Sequence, residues 1–114
     1  MPHFIIDCSE DIATLKQPLE IIQEVYNTAD TSGLFTKGDV KVRLNPFKDY
    51  IVGGKQDSFI HVFAYIMQGR TTQEKAELSN KIVAKLKSMF PDISIISINI
   101  SDFEKDTYCN KTMV

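Results

Sequence analysis

The hydrophobic pattern along the chain predicts two similar stretches joined by a polar linker. His3-Phe4-Ile5-Ile6-Asp7-Cys8 is rich in branched and aromatic residues and reads as a buried strand. Leu15, Leu19, Ile22, Tyr26 and Ala29 then recur at helical spacing, with Pro18 suited to a first turn and Thr31-Ser32-Gly33 as the stop. Val40, Val42 and Leu44 alternate with Lys41, Arg43 and Asn45, which predicts a strand with one apolar and one cationic face. From Pro46 to Asp57 the pattern lapses, and Gly53-Gly54 suggests a turn or short hairpin. Phe59 through Ile66 reads as a second buried strand. Thr71-Thr72-Gln73-Glu74 reads as a capping box opening a helix striped by Leu78, Ile82, Leu86 and Met89, widened by Val83 and Phe90. Pro91 ends that helix, and Ile93 through Ile100 makes a final strand.

The order is β-α-β, linker, β-α-β. It predicts a single α/β (α+β) domain over 1–114, with repeats at about 2–45 and 58–101, a linker at about 46–57 and a tail over 102–114. Right-handed crossovers make the strands of each unit parallel. Two units can share one four-stranded sheet with both helices on one face. Adjacent apolar residues in the first, third and fourth strands suggest that both sheet faces are dry there, so that other subunits cover the second face. The cationic strand is expected inside the sheet, where its charges would need an anionic partner.

Composition narrows the function classes. The 114 residues hold 13 Lys+Arg and 15 Asp+Glu, for a net charge of −2, which disfavours nucleic-acid binding through a broad basic surface. No apolar run approaches the roughly 20 residues of a membrane helix. The first residues lack a signal-peptide pattern, and the two cysteines, Cys8 and Cys109, do not make a disulfide framework, so a reduced cytoplasmic setting is expected. His3 and His61 lack metal-ligand spacing and read as satisfied core residues; Cys8 reads as a small buried hydrophobe. Phosphate-cradling, nucleophile-elbow and paired-cysteine motifs are absent, and neither cofactor nor metal is expected.

Three features carry chemistry. Met1-Pro2 would, after methionine removal, leave Pro2 as a free secondary amine close to neutrality in pKa if burial and cations depress it. On the dipeptide alone the non-catalytic reading is favoured. Lys41 and Arg43 share one strand face, which marks a solvated surface as often as a carboxylate site. Gly69-Arg70-Thr71-Thr72 places a planar, bidentate cation where a strand ends and a helix begins.

PHFI followed by Asp7-Cys8-Ser9, the V-K-V-R strand, SFIHVFAYIMQGR and the TTQEK helix start together resemble the 5-carboxymethyl-2-hydroxymuconate isomerases of the tautomerase superfamily. The resemblance runs from Pro2 to about Ser101. It implies a homotrimer of tautomerase-like subunits, a catalytic proton-shuttling Pro2, and Arg70 with Lys41 or Arg43 binding the carboxylates of a dienol or oxo-acid from aromatic-compound breakdown. Where the family pattern has an arginine, this chain has Lys41, which keeps the charge and loses the fork. A tautomerase, decarboxylase or dehalogenase acting on another oxo-acid, and a non-catalytic trimeric binding module, are the alternatives.

Overall fold

The computed structural model describes all residues from Met1 to Val114. Four strands, β1 (His3–Ser9), β2 (Lys41–Phe47), β3 (Phe59–Met67) and β4 (Ile95–Phe103), form one sheet in the order β2-β1-β3-β4. β1 pairs parallel with β2, and β3 parallel with β4; the two pairs meet through an antiparallel β1–β3 ladder. The helices are α1 (Ile12–Leu15), α2 (Pro18–Asp30) and α3 (Thr72–Met89). None is long and apolar enough to cross a membrane.

Strand alternation sorts the side chains. Phe4, Ile6 and Cys8 of β1, with Ile60, Val62 and Ala64 of β3, are buried against Ile21, Val25 and Ala29 of α2 and Leu78, Ile82 and Leu86 of α3. Both long helices therefore lie on one sheet face, and the core fills the layer between them. The α3 start is a full capping box: Thr71 Oγ1 accepts from Glu74 N at 3.1 Å, and Thr71 N donates to Glu74 Oε1 at 2.8 Å.

Several expectations need correction. The first helix does not carry a stripe from Leu15: the chain breaks at Gln17, and Leu15 and Leu19 are 60% and 71% exposed. Pro18 cannot continue a preceding helix, so α2 starts there and turns Ile21, Val25 and Ala29 inward instead. The cationic strand is not internal. β2 is an edge strand, it runs on through Pro46, and Lys41 and Arg43 are exposed. An edge tolerates a proline because the missing N–H faces no neighbour, and an edge cation needs no buried counter-charge.

The second sheet face is mixed in composition. The register aligns Asn45, Asp7, His61 and Ser97 in one row, Arg43, Ile5, Phe63 and Asn99 in the next, and Lys41, His3, Tyr65 and Ser101 in a third. Within these three rows only Ile5, Phe63 and Tyr65 are apolar, while Phe47, Phe59 and Ile95 at one end and Met67 and Phe103 at the other lie on the same face. In β4 the isoleucines at 96, 98 and 100 take the core side and leave Ser97, Asn99 and Ser101 on the open face. Both histidines lie on this face rather than in the core. His61 is satisfied there, with Ser97 Oγ 2.7 Å from Nδ1 and Asn99 Oδ1 2.6 Å from Nε2.

Between β2 and β3, Gly53 and Gly54 both adopt positive φ and close a turn in which Val52 and Lys55 exchange backbone hydrogen bonds. After β4, two short 3₁₀ turns follow, with Tyr108 stacked on Phe103 at 5.4 Å.

Candidate active site

Pro2 is buried at the start of β1, and its carbonyl accepts from Lys41 N at 3.0 Å. That bond seats the first residue of β2 beside the amino terminus. Across the sheet His3 faces Tyr65, so the amino terminus lies beside the last residues of β3. Gly69, at φ 123°, lets the chain turn sharply from β3, and Arg70 follows at once. Pro2, Lys41 and Arg70 are thus gathered at one end of the sheet by three separate elements.

Electrostatics tie the three together. With Met1 attached, the Pro2 nitrogen is an amide and the free amine belongs to Met1. Burial holds that amine below its ordinary value of 8.0; Lys41 and Arg70 push it further down, and Asp39 opposes them. Lys41 Nζ lies 3.1 Å from the Asp39 carbonyl oxygen.

Arg43 is engaged differently. It lies two residues along β2 on the open face, and its Nη1 is 3.1 Å from His3 Nδ1. A guanidinium only donates, so Nδ1 is the acceptor of that bond, and burial, then Arg43, Lys41 and the amino terminus, lower the His3 pKa. Of the four residues singled out from the sequence, the structure brings three together and engages the fourth with His3.

Arg70 is half-buried and firmly seated. Nε and Nη2 donate to the Leu34 carbonyl at 3.2 and 2.7 Å, and Nη1 donates to the Met67 carbonyl at 3.2 Å. Its guanidinium carbon lies 5.1 Å from the centre of the Phe35 ring. One N–H remains free on each terminal nitrogen, which suffices for a carboxylate. Sequence reasoning missed Leu34, Phe35 and Asp39. The signal was an apolar pair inside a loop otherwise made of Thr, Ser, Gly, Lys and Asp.

No enclosed cavity surrounds Pro2 within the single chain. A groove of about 410 Å³ runs between α2 and β2, lined by Ile22, Gln23, Tyr26, Val40, Lys41 and Val42. No group of three or more His, Cys, Asp or Glu side chains is arranged to hold a metal ion.

The geometry has close counterparts. A 5-carboxymethyl-2-hydroxymuconate isomerase from Deinococcus radiodurans R1 superposes with a TM-score of 0.84 at 21% identity, covering 96% of this chain and 88% of that one. A fused 4-OT in a symmetric trimer gives 0.82 at 15% identity, covering 98% and 95%. A member of the cis-3-chloroacrylic acid dehalogenase family gives 0.80 at 13% identity, covering 96% and 80%. At these identities the likeness establishes the tautomerase fold. No curated protein is similar enough in sequence to count as a match. The family model for 5-carboxymethyl-2-hydroxymuconate isomerase, however, matches residues 2–112, from the buried proline through all four strands and the helix that follows Arg70. The chain belongs to the 5-carboxymethyl-2-hydroxymuconate isomerase family.

Proposed function

We propose that this chain is a cofactor-independent keto–enol isomerase of carboxylated dienols, with Pro2 as its proton shuttle once Met1 is removed. The observation that carries this reading is the seating of Lys41 at the amino terminus, its N–H on the Pro2 carbonyl and its Nζ 3.8 Å from Met1 Sδ, where, with Met1 attached, burial, Lys41 and Arg70 already disfavour a protonated terminal amine. A neutral secondary amine there can take the proton of an enol hydroxyl. Electrons move along the conjugated chain, the C–O bond becomes a ketone, and the protonated proline returns a proton to a carbon further along. Arg70, through its two free N–H groups, and Lys41 hold the carboxylates and offset negative charge developing on the oxygen. Arg43 already donates to His3 and is assigned no carboxylate.

In this reading three copies associate through the open sheet face, where Ile5, Phe63 and Tyr65 lie among polar groups, and the enzyme works in the cytoplasm on intermediates of aromatic-compound breakdown. Lys41 favours a second reading, another oxo-acid as substrate, because a lysine grips a carboxylate without the bidentate fork.

The test is ultraviolet-monitored ketonisation of 2-hydroxymuconate by protein whose mass confirms Met1 removal, beside Pro2→Ala and a form retaining Met1. The expected result is turnover by the processed protein that collapses in both controls. Equal rates in all three would remove Pro2 as the base.

A further inference from the structure

The loop from Thr31 to Val40 joins α2 to β2 and carries Lys41 into the site. Within itself it is thinly bonded: Asp39 N donates to Thr36 O at 3.0 Å, and Leu34 N to Ser32 Oγ at 3.3 Å. Its apolar pair is fastened from outside. Leu34 accepts two of the Arg70 hydrogen bonds, and the Phe35 ring lies against the Arg70 guanidinium. The same ring meets Phe4 edge-on, with centroids 6.0 Å apart and planes at 75°. Phe4 is fully buried two residues after Pro2. A continuous line of contact therefore runs from the core of β1 through Phe35 to the guanidinium.

We propose that Phe35 is a positioning residue of this site: anchored on Phe4, its ring fixes both the plane of the Arg70 guanidinium and the Leu34 carbonyl that holds it, so that the two remaining Arg70 N–H groups meet a substrate carboxylate at a set angle. The inference rests on the reading of Arg70 as carboxylate clamp. An aromatic ring does this where an aliphatic side chain of similar volume does not. Its face attracts the cation, and the ring meets Phe4 in the edge-to-face arrangement that aromatic pairs favour. Phe35 acts through Arg70 and never touches the reacting atoms, so its removal weakens the grip on carboxylates and leaves the proton transfer at Pro2 in place.

The experiment uses the processed protein and four variants: Phe35→Leu, which keeps apolar volume; Phe35→Tyr, which keeps the ring; Arg70→Ala; and Phe35→Leu combined with Arg70→Ala. Calorimetric binding of cis,cis-muconate, a dicarboxylate with no enol to turn over, is measured beside the kinetics of 2-hydroxymuconate. Phe35→Leu should weaken muconate binding and raise KM about tenfold with kcat little changed, and Phe35→Tyr should restore both. On the Arg70→Ala background, Phe35→Leu should add nothing further. Unchanged muconate affinity in Phe35→Leu overturns the inference, as does an equal further loss without Arg70, or a wild type that binds no muconate. A wild type that binds muconate in a Phe35-dependent way and turns over no enol leaves the positioning role standing and overturns the isomerase reading instead.

Discussion

Truncating Arg70 to alanine should destabilise the folded chain as well as weaken its hold on carboxylates, and the two losses can be separated. The guanidinium makes three hydrogen bonds, but two converge on the Leu34 carbonyl, so two acceptors lose their partner. A hydrogen bond from a charged donor contributes about 1.5–3 kcal/mol when buried, and less here because the side chain is only half-buried and water can partly replace it. Taking about 1 kcal/mol for each acceptor, with about 1 kcal/mol for the contact with Phe35, the expected cost is about 3 kcal/mol. That is a large share of the roughly 5–15 kcal/mol that holds a domain of this size folded. With an unfolding entropy of about 0.24 kcal/mol/K for 114 residues, Tm should fall by about 12 °C. Arg70→Lys, whose ammonium can still reach one of the two carbonyls, should recover about half of the loss without recovering the bidentate grip. Calorimetry at one fixed protein concentration measures both variants, since association contributes to apparent stability. An Arg70→Ala protein that melts with the wild type would refute the view that Arg70 fastens the Leu34–Phe35 loop to the end of β3.

Three further outcomes follow from the same structure. With Met1 attached, its amine should titrate below its ordinary value; Asp39→Asn, which removes the one opposing charge, should lower it further, and Arg70→Ala should raise it, as read by NMR titration. Once Met1 is removed, the Pro2 amine takes its place among the same charges; since an amine accepts a proton only when neutral, activity should fall as pH drops through its midpoint, and Asp39→Asn should move that fall to lower pH. Thr71→Ala removes the hydroxyl that accepts from Glu74 N and should cost about 1 kcal/mol, or about 4 °C in Tm, measurable by calorimetry. Cys8 is fully buried, and burial, with Asp11 and Asp7 adding to it, pushes its thiol up to about 12. Exposed Cys109 should therefore react quickly with a thiol reagent at pH 8, and Cys8 only after denaturation; two fast thiols would contradict the buried placement.

Much of this molecule can be read from residue order. Period-two alternation marks β2, runs of branched and aromatic residues mark β1 and β3, the Thr71–Glu74 pair marks the start of α3, and Gly53-Gly54 marks a turn, because each depends on interactions within a few residues. The amino-terminal proline and the arginine at a strand–helix junction were visible as residue types whose chemistry is unusual for their place in the chain. What residue order left open depends on distance through space. It does not say that β2 lies at an edge, since alternation looks the same in an edge strand and in an inner one. Nor does it show that Pro18 rotates the buried stripe of α2 from Leu19 to Ile21, which follows from where that helix begins. The different partners of Arg43 and Lys41 also escape it: two cations two residues apart on one strand look like a pair, but one reaches the Asp39 carbonyl and the other bonds to His3. Least legible was the seating of Arg70 on Leu34 and Phe35, 36 and 35 positions earlier in the chain. A loop carbonyl and an aromatic face carry no local pattern, and only the packing of Phe35 on Phe4 brings them beneath the guanidinium.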